Sequence, residues 1–417
     1  MAVKITAPPN QRFECRDCPA RCCRLPANIR ISAEEARRYL ADPWVRDRVG
    51  PEGLQIIEAG GLPVREQDRG PQCVFLDDDL LCGMQKRFGH DFLPRTCQSF
   101  PFAFTRNEEG AIVAQLSQLC PSIRDDYGRP IAPQLPIKLR QKGVIAPMSP
   151  EMVTLSGATL SQTQYLRVVR RWEEALASTE SPAITLARLY DLTLAFESAL
   201  PAGAEPVTDA AVDEALVRAA EHAPAPLVPR QSPSFHARLL FAHLLGYLCY
   251  PSRLKLAHRI GPAPAARSAG WRSLAVKIAW MLGWGTVDLL FVPKPFNLRR
   301  VRSVDHFLSA DEGGLVREYL RLVLQRRQLF ARPRPLLAVV LDLALATTII
   351  AHFARCRAAA DGRPRVTPDD VREGISVAEL VLVSHVDLAA RSPTLQMLCQ
   401  LLLAKRERFR ALLATEA

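Results

Sequence analysis

The chain has 417 residues, of which 48% are hydrophobic and 23% charged, with a net charge of +11. That balance excludes a disordered chain and leaves room for roughly two or three globular domains. The positive excess, mostly Arg, reads as spread along the chain. It permits an acidic partner, but no aromatic-interleaved basic motif accompanies it, so no specific nucleic-acid interface is expected.

The opening residues, Met1 to Asn10, hold no apolar run of signal-peptide length. The expected setting is therefore a reducing cytoplasm, where clustered thiols read as metal ligands or catalytic groups rather than as a disulfide framework. Eight of the eleven cysteines fall in the first 120 residues. The first four form Cys15-x2-Cys18-x3-Cys22-Cys23, set among Arg16, Asp17, Arg21 and Arg24. A buried structural Cys behaves as an inert small hydrophobe, and four thiols in such charged company do not fit that description.

Next, Ser32 and Glu35 have the spacing of a capping box. They predict a short helix through Tyr39 and Leu40, stopped by Asp42-Pro43. Residues 50–71, rich in Gly and Pro, suggest loop or short strands. Cys73 and Cys82 flank apolar runs around Asp77-Asp78-Asp79, a pattern that predicts a hairpin bringing the two thiols together. Cys97 then leads into Ser99 to Phe104, and a second hairpin is expected to turn at 107–110 and return through Ala111-Ile112-Val113, ending at Leu119-Cys120-Pro121.

Residues 131–157 read as a linker with extended segments. From Gln162 the pattern is helical, with Tyr165, Leu166, Val169, Trp172 and Leu176 on one face. Residues 201–234, dense in Ala and Pro, read as a surface loop. Further helices are expected at 235–249, 271–291, 304–330, 336–356, 368–390 and 394–414. Thr367-Pro368-Asp369-Asp370 is a clear helix start. The expected fold class is thus an α+β, Cys-rich metal-binding domain of short hairpins and loops over 1–130, followed by a mainly α-helical domain over 158–417.

Two apolar stretches, 273–292 and 336–353, carry Lys277 and Asp288, and Asp342 and His352. Charges at such depth are costly in a bilayer, so both read as buried helices and no transmembrane span is expected. The basic flank Arg326, Arg327, Arg332 and Arg334 keeps peripheral membrane contact open.

A thiolate metal centre needs ligands converging from at least two segments. The candidate ligands are Cys15, Cys18, Cys22, Cys23, Cys73, Cys82, Cys97 and Cys120, with His90 as an extra donor. Adjacent Cys22 and Cys23 are expected to diverge, so that one centre seldom takes both. Eight thiols suffice for two zinc ions, for one four-iron, four-sulfur (4Fe-4S) cluster with spare thiols, or for two clusters. Ligand softness suits zinc and iron–sulfur alike. Cys249, Cys356 and Cys399 lie in apolar helical patterns and read as packing. His236, His243, His352 and His385 read as core or surface groups, so no catalytic base emerges. No G-x-G-x-x-G opens a βα unit, which disfavours a Rossmann-type methyltransferase.

The combined layout resembles the YkgJ-type cysteine-cluster family, described as a zinc- or iron-chelating domain. The resemblance rests on Phe13 with Cys15, Cys18, Cys22 and Cys23, then Cys73-Val-Phe-Leu-Asp77 with Leu81-Cys82, then Cys97-Gln-Ser-Phe-Pro101. It covers roughly residues 13–124. The flagellin lysine-N-methylases carry a related layout, ahead of a long helical region and with a final Cys-Pro like Cys120-Pro121. What this subgroup implies is an iron–sulfur-dependent methyl transfer from S-adenosylmethionine to lysines of a flagellin-like protein substrate. In that reading the helical region supplies the substrate groove. The competing expectations are a non-enzymatic, zinc-stapled module whose helical domain binds a protein partner, and a redox or metal-storage protein with spare thiols such as Cys23.

Overall fold

The computed structural model describes the chain apart from residues 1–4, 7–10, 16–19, 25–28, 68–69, 107–110, 143–145, 148, 204–205, 222–225, 228–234, 250–257, 262–265, 306–307, 309, 326–327, 331–332, 385–392, 404 and 415–417. The described chain is α+β, mostly helical with a few small sheets.

Two short strands, β1 (Ile5–Thr6) and β2 (Arg12–Phe13), come first. Helix α1 (Ala33–Ala41) begins at the expected capping box: Ser32 Oγ accepts from the Glu35 amide at 3.2 Å, and the Ser32 amide donates to Glu35 Oε2 at 2.6 Å. Asp42-Pro43 ends this helix but also starts α2 (Pro43–Glu58), with the Asp42 side chain accepting from the Val45 amide. Gly50, at φ 66°, breaks α2, and Pro51 restarts it. The loop expected from residue 50 is therefore helix as far as Glu58, because Pro is tolerated in a first turn that needs no N–H.

Strands β3 (Val64–Gln67) and β4 (Gly70–Cys73) pair antiparallel. The turn at Asp77 to Leu81 forms as expected, but its closing bridge is Leu76 to Cys82, while Cys73 pairs with Val64. Helices α3 (Gly83–Phe88) and α4 (Arg95–Ser99) follow. Then β5 (Phe102–Arg106) and β6 (Ile112–Leu116) form the second expected hairpin; its turn lies outside the described residues. After α5 (Pro121–Arg124) and β7 (Arg129–Pro130), which pairs with β2, comes α6 (Leu135–Lys142), then β8 (Ala146–Pro147), which pairs with β5. Residues 131–157 are thus not extended throughout. Ile131 and Leu135 are buried with Phe102, Phe104 and Leu116, and Leu139 packs on them: a helical spacing of apolar residues hidden among prolines. A separate apolar cluster forms around Tyr39, Val45, Ile57, Phe75 and Met84.

Strands β9 (Glu151–Val153) and β10 (Thr159–Ser161) lead into α7 (Gln162–Leu176), whose expected apolar face is buried. Next are α8 (Pro182–Ala199) and α9 (Asp209–Glu221). Within the stretch expected to be loop, α9 buries Val212, Ala215 and Ala219, since alanines at that spacing suffice for close helix packing. Helix α10 (Phe235–Cys249) precedes β11 (Arg259–Ile260), which adds to β3 in parallel and so ties the helical region to the first sheet. Helix α11 (Ala266–Leu282) stops at Gly283 rather than near residue 291. Strands β12 (Thr286–Val287) and β13 (Phe296–Asn297), then α12 (Leu298–Val301) and α13 (Ala310–Gln325), lead to α14 (Leu336–Asp361). Helix α15 (Pro368–Ala378) runs on into a π-helical segment, Glu379–Ser384. The last expected helix is two, α16 (Pro393–Leu403) and α17 (Arg406–Leu413).

Helix α14 is long and apolar enough to cross a membrane, but most of it is buried among the other helices. The expected basic flank is engaged at Arg334, which pairs with Asp342 at 2.8 Å. Helix α15 approaches α14 so closely that a Cβ at Gly374 would lie 2.6 Å from the Ile350 carbonyl oxygen. Buried carboxylates tie the layers together. Asp191 on α8 accepts from Arg406 and Arg410 of α17, and Glu197 accepts from the amides of Leu155 and Leu337.

Asp370 is the acid whose loss is easiest to read out. It accepts from Arg363 at 2.7 Å, from Arg357 at 3.2 Å, and from the amide and hydroxyl of Thr367. Burial works against its charge, but these donors together outweigh burial and hold its carboxyl below the ordinary 3.8. A depressed folded value means that the stabilisation is present above about pH 4 and is lost as pH falls through the folded value. Asp370→Asn should cost about 3 kcal/mol at neutral pH and flatten the acid loss. Denaturant unfolding of both proteins at neutral and acid pH measures this, and parallel pH profiles would refute it.

Candidate metal centre

Six stretches of chain bring cysteines to one place. Cys15 follows β2, and Cys22 and Cys23 share a 3-10 turn, Arg21–Cys23. Cys73 ends β4, while Cys82 and Cys120 occupy the N-cap positions of α3 and α5. Cys97 lies within α4. All seven line a single cavity of about 730 Å³. Cys18 lies outside the described residues.

Each segment is held by its own local chemistry. Glu35, after capping α1, uses its second oxygen to accept from the Arg95 amide at 2.6 Å, which fixes α4 and hence Cys97. Arg48 donates to the carbonyls of Val74 and Leu76 and to Asp77 at 2.8 Å, locking the chain between Cys73 and Cys82. Arg21, beside Cys22, is buried, pairs with Glu373 of α15 and covers the Phe291 ring at 3.8 Å. Arg124, four residues after Cys120, donates to the other oxygen of the same Glu373 at 2.8 Å. One carboxylate of the helical region therefore pins two thiol segments.

The sulfurs sit in a setting suited to charge-bearing ligands. Burial pushes Cys73 up to about 12 and Cys120 up to about 11. Against that burial, backbone amides act on the sulfurs: Phe75 on Cys73, Met84 and Gln85 on Cys82, and Ser122 and Ile123 on Cys120. Such N–H donors stabilise thiolates and tune the clusters they hold. Cys97 is raised well above its ordinary value, first by burial and then by the nearby thiols Cys73, Cys22 and Cys82. Cys22 and Cys23 have their sulfurs 3.9 Å apart. That contact lowers Cys22 and raises Cys23. The expected divergence of these neighbours is thus corrected: the tight 3-10 turn draws both side chains to one side.

Among the described residues, no three Cys, His, Asp or Glu side chains converge tightly enough to hold one metal ion. A lone tetrahedral zinc would need four sulfurs about 3.8 Å apart, as Zn–S bonds near 2.3 Å require. The seven thiols are spread around the wall of the cavity. Room remains for more than metal, since cavities of about 300–1,000 Å³ are those that hold small molecules.

Phe13, Phe75 and Phe100 supply apolar wall, and His90, Gln134 and Lys138 add polar groups. His90 is depressed by burial and by Lys138. Lys138 is itself depressed by burial, and its charge couples to Cys15. Lys138 and Gln134 fall in the segment read as linker, where the spacing of Ile131, Leu135 and Leu139 was the signal that could have found them. Every described lining residue falls between Phe13 and Lys138, so no described residue of the helical region, expected to supply a groove, lines this cavity. Its His243 and His352 are buried core groups, and Cys249 and Cys356 pack with it, as expected.

Cys73→Ser, Cys97→Ser or Cys120→Ser should each lower bound metal, whereas serine at Cys249, Cys356 or Cys399 should leave it unchanged. Metal analysis of the purified variants decides this, and equal content in all six would remove the site. Glu373→Gln, which takes the carboxylate partner from buried Arg21 and leaves Arg124 with Asp125, should cost about 3 kcal/mol and lower metal content together with it, although it touches no thiol.

Comparison with protein-family models, with curated proteins and with solved structures finds no match for this chain.

Proposed function

We propose that the Cys-rich N-terminal region holds an iron–sulfur cluster through a subset of Cys15, Cys18, Cys22, Cys23, Cys73, Cys82, Cys97 and Cys120, and that it is an enzyme whose cavity also takes a small co-substrate. The observation that carries this is the convergence of seven thiols from six stretches of chain on one cavity much larger than a metal ion needs. Such a cluster supplies electron transfer or an open iron position for a donor ligand. The chain's own groups do the rest. The aromatic walls give the cavity apolar surface, and the backbone amides beside Cys73, Cys82 and Cys120 stabilise the thiolate forms. Lys138, whose amine also donates to the Gln98 carbonyl oxygen at 3.1 Å, offers a cation to an acidic group of the co-substrate. The reaction we assign, following the resemblance of the cysteine layout, is methyl transfer from S-adenosylmethionine to lysine amines of a protein such as flagellin.

The second reading, a zinc-stapled module without activity whose helical region binds a protein partner, draws on one fact: among the described residues, none of the helical region lines the cavity. Anaerobic purification followed by iron, zinc and acid-labile sulfide analysis separates the two. Iron with matching sulfide and broad visible absorption is the expected result, with methyl transfer to flagellin lysines measured next. A colourless zinc protein without sulfide would replace the first reading by the second. An iron–sulfur protein that leaves S-adenosylmethionine unbound would keep the cluster and remove the methylase.

A further inference from the structure

The net charge is not spread along the chain. Residues 251–304 hold ten Lys and Arg against one acid, Asp288, which is nine of the eleven net positive charges. The same stretch carries α11, a helix with two apolar faces. Trp280 on one face is buried in the helical core, with Val276 and Ala279 packed beside it. On the other face Trp271, Leu274, Ile278 and Leu282 recur at intervals of three and four, one stripe of a helix. This stripe is open to solvent: Trp271 is 76% exposed, Leu282 51%, and Trp284, just past the helix end, 52%. The stretch read as a buried helix is therefore buried on one side only.

Cations border the stripe. Arg302 donates to the Leu282 carbonyl oxygen at 2.8 Å. Gly283, at φ 65°, leaves room for that approach, since a Cβ there would meet the Arg302 guanidinium at 2.3 Å. The Leu298 amide donates to Gly285, and β12 pairs with β13, so α12 and its exposed Arg299 and Arg300 sit beside Trp284. Aliphatic and Trp side chains in a row, with arginines alongside, are what an interfacial helix presents to lipid: the apolar row enters the headgroup boundary and the cations meet acidic headgroups. Nucleic acid would use the arginines but gain nothing from exposed Leu274, Ile278 and Leu282.

We propose that α11, Trp284 and the arginines of 299–302 form a peripheral docking face for an anionic lipid bilayer. The test is co-sedimentation of the full chain with vesicles of phosphatidylcholine alone or mixed with phosphatidylglycerol, at low and high salt. Binding to the mixed vesicles only, released by salt, is the expected result, accompanied by a blue shift of tryptophan emission. Arg299→Gln with Arg300→Gln should weaken binding about fivefold per arginine. Trp271→Ser with Trp284→Ser should weaken it at least about tenfold, with metal content and melting temperature unchanged because both side chains face solvent. Three results would overturn the proposal: no binding to either vesicle, undiminished binding by the tryptophan variant, or a solution dimer that this variant dissociates. Tighter binding to double-stranded DNA than to mixed vesicles would also overturn it, in favour of a nucleic-acid face.

Discussion

The carboxylate of Glu373 joins the helical region to two of the thiol-bearing stretches of chain. Both of its oxygens are taken, one by Arg21 beside Cys22 and one by Arg124 just past Cys120. The three side chains are largely shielded from water, so their attraction is little screened and the loss of one partner leaves charge stranded. Glu373 can reach them because α15 lies against α14 at Gly374, where the backbones are too close for any larger residue. A helix crossing near the end of the chain thereby sets the position of thiols near its beginning. Two further links lie close by: the Ser376 hydroxyl donates to the Gln118 carbonyl oxygen, and Glu379 accepts from the Gln118 amide and the Tyr319 hydroxyl.

Around the cavity the physical tension runs between burial and charge. Thiolates make good metal ligands, yet burial disfavours them, as Cys73, Cys97 and Cys120 show. The backbone answers part of that cost by aiming amides at the sulfurs of Cys73, Cys82 and Cys120, an arrangement that follows from placing two of them at helix N-caps. A bound metal cation would supply the rest, and metal uptake and folding are coupled in sites of that kind. Small apolar clusters flank the thiols on either side, one around Phe75 and one around Phe102, and neither is large.

The helical region uses apolar residues in two opposite ways. In α14, Leu, Val, Ile and Ala cover every side of the helix, and every side is packed. In α11 a similar composition leaves one stripe in water, bordered by Arg299, Arg300 and Arg302. Hydrophobic surface in a core stabilises the fold, whereas a contiguous apolar stripe bordered by cations marks a surface that is used.

Local chemistry was legible in the sequence. The capping box at Ser32, the helix start at Thr367, the hairpin of β5 and β6, the apolar face of α7 and the packing of Cys249, Cys356 and Cys399 all follow from spacing and side-chain type. Those signals act over a few residues, and nothing distant competes with them. Where the sequence misled, proline was the usual reason. Pro51 and the prolines of 131–157 read as breaks, but first-turn positions accept them, so α2 and α6 persist and α6 brings Lys138 to the cavity. Only the tertiary structure could decide that Cys22 and Cys23 converge, that Glu373 binds Arg21 across some 350 positions of sequence, and which apolar helix is enclosed and which is half bare. These depend on which faces meet in space, and a pattern of residue types along one helix does not record its neighbour.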